Sequence, residues 1–243
     1  MVSDYDKRAE FHEVFMPPVW DRLQTLVRNA FGSVGPDGVI VDIGAGSGLG
    51  ATKVAGVTDA EIIALEPNMT MRAMLVARLD TAGVLDRVTV LPGSVPDALD
   101  DLPDRVHGVI AAHMLGHLDR RDRAGLLQWI AGSLVPGCSA LLTVSPEVAA
   151  ADDKPAIEER TVGRLHYRVT HLPADHGRYD GLFEVLDREH RVVRSLPDSG
   201  SWQAVPSGEI SAALDGYPVT IVEPLPGVVL LTSTAQTQPR SSS

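Results

Sequence analysis

The sequence predicts an α/β protein: a doubly wound, seven-stranded, mostly parallel sheet with helices at the N-terminus and an antiparallel β-meander inserted late in the chain. Three observations carry this. The run Val39-Ile40-Val41-Asp42-Ile43 is apolar and β-branched and breaks at once into Gly44-Ala45-Gly46-Ser47-Gly48, as a strand buried on both faces does when it feeds a glycine turn. From there to residue 144 strand patterns alternate with helical ones, which implies a parallel sheet. After 145 the rhythm shortens to strand and turn, and the chain closes on two apolar runs, 219–222 and 228–232, joined by Pro224-Leu225-Pro226-Gly227.

Residues 1–31 read as two helices split by Met16-Pro17-Pro18. In the second, Trp20, Leu23, Leu26, Val27, Ala30 and Phe31 recur at helical spacing, and Pro18 suits a first turn. In the first, over 5–15, Phe11 and Phe15 stand one turn apart among charges, which fits either a lid over a ligand or a surface helix anchored by its aromatics. Strands follow at 61–65, 87–91, 106–112 and 139–144; the intervening helices are 49–57, 69–81 (capped by Asn68 and stopped at Gly83) and 120–134. Short strands at 165–172, 181–186, 191–196 and 201–205 make the meander, separated by turns at 174–177, 187–190 and 197–200. A short helix capped by Ser207 precedes the closing hairpin. The expectation is one domain: a helical cover at 1–31, a β/α core at 37–145, an antiparallel insert at 146–206, a closing helix and hairpin at 207–233, and a disordered tail at 234–243.

Composition narrows the partners. With 21 Lys+Arg against 32 Asp+Glu the net charge is −11, which repels phosphate backbones and argues against nucleic acid. No apolar run is long enough to span a bilayer and residues 1–6 lack an apolar leader core, so no membrane is expected and the expected compartment is the cytoplasm. A single cysteine, Cys138, leaves no internal disulfide or cysteine metal cluster and reads as a small buried hydrophobe. No metal is expected, because His113 and His117 stand four apart with no third ligand in view. Oligomeric state is not legible.

Two ligand classes compete for the glycine turn. Gly46-Ser47-Gly48-Leu49-Gly50-Ala51 fits the dinucleotide pattern G-x-G-x-x-A, and Glu66 lies 20 residues beyond Gly46, where a ribose-binding acid is expected. Against a dinucleotide stands Asp42, a carboxylate one residue inside the strand end, which suits a ligand carrying a positive amino group. The stretch 41–48 closely resembles motif I of the class I methyltransferases that use S-adenosylmethionine, whose amino acid moiety sits against this loop. The resemblance covers roughly residues 37–145, and the closing hairpin more loosely, since that family's sheet ends with an antiparallel seventh strand between the fifth and sixth.

This resemblance implies the Rossmann-like methyltransferase fold, S-adenosyl-L-methionine as cofactor and a small-molecule acceptor. It also implies roles. Asp42, Gly44, Ala45, Gly46 and Gly48 would hold the amino acid portion, Glu66 the ribose hydroxyls and Pro67 the adenosine edge; Gly93, Ser94 and Val95 would take the adenine. Tyr5, in a segment similar to the family's Tyr-Asp-x-x-Ala start, would close over the cofactor. The segment His113-Met114-Leu115-Gly116-His117-Leu118 resembles the family's post-strand motif, with Gly116 in place of its first histidine, and it lacks the Asn/Asp-Pro-Pro run of nucleobase methyltransferases.

His113, with His117 as second choice, is then the expected catalytic base, its alternative being a packed imidazole. The meander resembles the roof that some natural-product and amine methyltransferases place over the substrate. Either of its faces, Leu165, Tyr167, Val169 and His171 or His166, Arg168 and Thr170, could line the pocket. The expected function is methyl transfer to an O, N or C atom of a small molecule. The readings left open are an NAD(P)-dependent oxidoreductase and a relative of the fold that binds S-adenosylmethionine without methylating.

Overall fold

In a computed structural model of the chain, residues 4–144, 155–172, 178–201 and 203–234 are described. Seven strands form the main sheet: β1 (Val39–Ile43), β2 (Glu61–Leu65), β3 (Val88–Leu91), β4 (Val106–Ala111), β5 (Leu134–Thr143), β10 (Val219–Leu225) and β11 (Val228–Ser233), in the order β10-β11-β5-β4-β1-β2-β3. The first five pair in parallel, and β11 runs antiparallel to both β5 and β10. A dinucleotide-binding dehydrogenase would instead continue its sheet with parallel β/α units.

The pleat of β1 sorts its side chains between two layers. Val41 and Ile43 join Ile63, Leu65 and Val109 on one face, under α5 (Arg120–Ser133) with Leu126, Leu127 and Ile130. Ile40 joins Ile62, Ile110 and Leu141 on the other, covered by α2 (Pro17–Phe31) with Trp20, Val27 and Phe31, by α3 (Leu49–Ala55), and by α4 (Met69–Thr81) with Leu75 and Leu79. Asp42, with the parity of Ile40, therefore lies on the α2/α3 side.

Caps set the helix ends. Asn68 Oδ1 accepts from the Met71 N–H at 2.8 Å at the start of α4, as expected. Asp119 caps α5 through the Asp122 N–H at 2.8 Å, an addition to the sequence expectation. The short α6 (Ser207–Ala213) has Pro206 at its cap position and no side-chain cap, so the expected Ser207 cap is not formed.

The second sheet is antiparallel, in the order β6-β7-β8-β9: β6 (Ala156–Val162), β7 (Leu165–Leu172), β8 (Arg178–Leu186) and β9 (Val192–Ser201). It departs from expectation twice. β6 is an additional strand, silent in the sequence because its seven residues are all exposed and carry no alternation. The expected turn at 197–200 lies inside β9, which pairs with β8 through Pro197, Asp198, Ser199 and Gly200; an edge strand tolerates proline because its outward N–H needs no partner. The separate strand expected at 201–205 is therefore absent from the described residues. The expected turn at 174–177 and the tail lie outside them.

α1 (Asp4–Phe15) packs on the second sheet. Phe11 is buried among Tyr167, Val169 and Val185, its ring edge-on to Tyr167 at 5.4 Å and to Phe183 at 5.2 Å. Arg8 pairs with Asp198 at 2.8 Å, and Glu10 accepts from Tyr167 Oη and from Arg194. The face of the meander bearing Tyr167 and Val169 is thus occupied by α1.

Candidate active site

A cavity of about 680 Å³ opens at the carboxyl ends of β1, β2, β3 and β4, where an open α/β sheet places its ligands. Its wall follows the sheet order. Gly44, Ala45 and Gly46 leave β1; Glu66, Pro67, Asn68, Met69 and Met71 follow β2; Gly93, Ser94 and Val95 follow β3; Ala112, His113, Met114, His117 and Leu118 follow β4. From the helical side come Asp6, His12, Met16 and Trp20.

Ten of the thirteen site residues read from sequence meet here. Three do not. Gly48 takes φ 86° at the cap of α3, and a Cβ there would lie 2.5 Å from Leu75 Cδ1, so its bareness serves the packing of α3 on α4, and it lies off the cavity wall. Asp42 is buried on the α2/α3 side, with Oδ2 lacking a partner and within 3.0 Å of where a Gly50 Cβ would be; it sits behind the glycine loop, not on the cavity wall. The Tyr5 side chain lies outside the described residues.

The glycine loop is tied to β2. Gly44 and Ala45 N–H groups both donate to Leu65 O, at 2.9 and 3.0 Å, and the Gly46 N–H donates to Glu66 Oε2 at 2.9 Å. Glu66 Oε1 accepts from the Asn68 N–H at 2.7 Å. Each carboxylate oxygen keeps further acceptor capacity. Gly44 and Gly46 take φ of 70° and 56°, positions that favour glycine; a Cβ at Gly46 would meet nothing nearer than the His12 ring at 3.8 Å, so this glycine is open to the cavity.

Burial governs the electrostatics. The Asp42 carboxyl is raised to about 7, first by burial and then by the charge of Glu66, with the Ala51 amide opposing. Glu66 is raised by burial, against the Asn68 and Gly46 amides and the charges of Arg72 and His12. His113 falls to about 4, from burial and then from His12; His117 also falls, from burial and then Arg8. His113 is thus held below the near-neutral value expected of a base.

His113 adopts φ 57°, a strained value for a side-chain-bearing residue, while its N–H donates to Thr143 Oγ1 at 2.6 Å and its ring stands edge-on to Trp20 with centroids 6.2 Å apart. Its Nε2 is buried without a partner.

Arg123 fixes this post-β4 segment from behind. Fully buried in α5, it donates from Nη1 to Leu115 O at 3.1 Å and Leu118 O at 2.8 Å, and from Nε to Glu209 Oε1 of α6 at 2.6 Å. The sequence carries a signal for it: Arg123 stands in register with Leu126, Leu127 and Ile130 on the apolar stripe of α5. Gly50, a glycine inside a helix, likewise marks the close approach of Trp20, whose ring lies 2.6 Å from where a Cβ at that position would stand. Met69 and Met71 of α4 reach the cavity, and no described residue of the four-stranded sheet does.

Comparison with known proteins agrees with this geometry. Residues 40–137 match the family model of a methyltransferase domain. The fold is shared with an amino pentose methyltransferase from Micromonospora echinaspora involved in calicheamicin biosynthesis, solved with S-adenosylmethionine bound (TM-score 0.71, 16% identity, 96% of this chain and 98% of that one). It is shared also with DesVI of Streptomyces venezuelae (0.71, 15%, 97% and 100%) and with a sugar N-methyltransferase from a Streptoalloteichus species (0.68, 16%, 97% and 94%). Among curated proteins none matches the sequence.

Proposed function

We propose that this chain, which carries a methyltransferase domain over residues 40–137, transfers the methyl group of S-adenosylmethionine to an O, N or C atom of a small-molecule acceptor. The observation that carries the reading is the position of Glu66 in the middle of the cavity, between the glycine loop of β1 and the Gly93–Val95 segment after β3. A ribose on Glu66 would then direct the base toward the β3 side and the amino acid arm toward the β1 side.

The residues present fit that cofactor. Glu66 retains acceptor capacity for two hydroxyls, Gly46 leaves the loop bare toward the cavity, and Val95 and Ser94 offer an apolar surface and a hydroxyl at the β3 end. When bound, S-adenosylmethionine supplies a methyl group on a sulfonium, already activated for displacement. What the protein adds is alignment and exclusion of water. Met16, Trp20, Met114 and Leu118 form the apolar part of the wall, and His113, neutral at physiological pH, accepts a hydrogen bond from an acceptor's N–H or O–H and turns its lone pair toward the methyl. With its ring held at about 4, His113 orients the acceptor rather than taking a proton from it strongly. The acceptor therefore has to arrive with a free lone pair.

Isothermal titration with S-adenosylmethionine and, separately, with NAD tests the cofactor: binding of the first alone is expected, and binding of NAD alone would replace the reading with an oxidoreductase. Release of S-adenosylhomocysteine in the presence of an acceptor amine or alcohol tests the transfer. Small molecules retained through purification, identified by mass spectrometry, supply the first acceptors to try.

A further inference from the structure

His12 is the cavity residue of α1 whose ring can donate a hydrogen bond. Among the described residues lining the cavity there is no lysine or arginine, although Asp6 and Glu66 are both there. His12 reaches in from α1 with the Cε1–Nε2 edge of its ring facing Gly46, each atom 3.8 Å from where a Cβ would stand. Its other nitrogen, Nδ1, lies 3.5 Å from Glu13 Oε1.

Glu13 is in turn anchored. Its carboxylate accepts from Arg78 Nη2 of α4, and Arg78 Nε donates to Ser47 O of the glycine loop at 2.9 Å. Burial alone would raise the Glu13 carboxyl, but His12, Ser47 and the charge of Arg78 outweigh it and hold Glu13 below the ordinary range, as an anion beside the ring. The line Arg78, Glu13, His12 thus ends with an imidazole edge laid over the one loop glycine that is bare toward the cavity.

We infer that His12 is the recognition residue for the α-carboxylate of the cofactor's amino acid arm. The assignment rests on the S-adenosylmethionine reading. Sheet order places that arm: with the ribose on Glu66 and the base toward β3, the remaining arm extends over the β1 side, where Gly46 and His12 face each other. A carboxylate in that space requires a donor, and the donor supplied is His12 Nε2–H. The ring, set with Nδ1 3.5 Å from Glu13 Oε1 and its Nε2 edge over Gly46, presents Nε2–H to the ligand, whose ionised carboxylate makes the bond charge-assisted. Glu66 and His113 also face His12 across the cavity. Because His12 rides on α1, carboxylate recognition and helix seating are one event.

The test measures affinities of the full chain by calorimetry for S-adenosylhomocysteine, for decarboxylated S-adenosylmethionine, and for 5′-methylthioadenosine, which lacks the whole amino acid arm. His12→Phe keeps a ring for packing and removes the donor; His12→Gln returns an N–H near the Nε2 position. The expected result is that His12→Phe weakens S-adenosylhomocysteine by roughly ten- to a hundredfold, the scale of one charge-assisted hydrogen bond, with 5′-methylthioadenosine unchanged and His12→Gln intermediate. Decarboxylated S-adenosylmethionine should bind wild type and His12→Phe equally. Equal loss of all three ligands in His12→Phe would make the residue a seat for α1 and overturn the inference, and unchanged S-adenosylhomocysteine affinity would overturn it as well. Failure of the wild-type protein to bind any of the three would remove the cofactor reading itself, and the assignment with it.

Discussion

Glu66 holds the Gly46 and Asn68 amides with its two oxygens and, in our reading, the ribose with their remaining lone pairs. Glu66→Ala should therefore lose the ribose bonds and slacken the glycine loop, weakening S-adenosylmethionine by roughly 1.5 to 3 kcal/mol in titration calorimetry. A folded variant of unchanged affinity would remove Glu66 from the site. His113 makes a prediction of a different kind. Its pKa is about 4 in the folded protein against an ordinary 6.5, so the unfolded chain binds the extra proton between those values. The stability that this neutral, buried ring permits is present above pH 6.5 and is lost as pH falls toward 4. Relative to His113→Asn, which does not titrate, the wild type should lose about 2 kcal/mol between about pH 7 and about pH 5, read from urea unfolding at the two pH values. Parallel pH dependence of the two proteins would mean that the ring is protonated in place.

At the scale of elements, α1 and the post-β4 segment are the two parts of the site that the rest of the molecule has to hold in position. So polar a segment as 1–16 predicts, from sequence, that its deletion harms ligand binding more than stability. The structure adds a contribution to stability, because Phe11 fills the apolar face of the four-stranded sheet. Phe11→Ala should cost about 3 to 5 kcal/mol if the seat cannot collapse, seen as a lowered denaturation midpoint, and should raise amide exchange through α1. Arg123 behaves oppositely. Arg123→Met leaves Leu115 O, Leu118 O and Glu209 without their donor, so it should destabilise by about 3 to 5 kcal/mol, whereas pairing it with Glu209→Leu should recover a good part of that loss in thermal denaturation. If the double variant is no better than the single, the orphaned Glu209 is not the burden and the loss lies with the carbonyls of Leu115 and Leu118.

Over the whole molecule, legibility follows how local each determinant is. The main sheet can be read because each strand advertises its own burial, and Glu66, the 93–95 segment, His113 and His117 can be placed because strand ends locate them. Asp42 cannot, since the loop motif says that a carboxylate is there but only the pleat of β1 and the cover of Trp20 say which side it takes. Gly48 misleads for a related reason: the atom that forbids a side chain belongs to Leu75, far along the chain. β6 is invisible because a strand paired on one edge and exposed along its length has no need of alternation. His12 is invisible because α1 is polar nearly all round, and its seat is made by residues remote in sequence. That distance has a further consequence for biosynthesis. Tyr167 is 157 residues beyond its partner Glu10, and Arg194 is 184 beyond it. A ribosome therefore delivers α1 well before its socket, so the nascent core can finish β1 to β5 while that helix is still unhoused. The α1 side of the cavity wall, with Asp6 and His12, is therefore set in place only after the strands of the second sheet emerge.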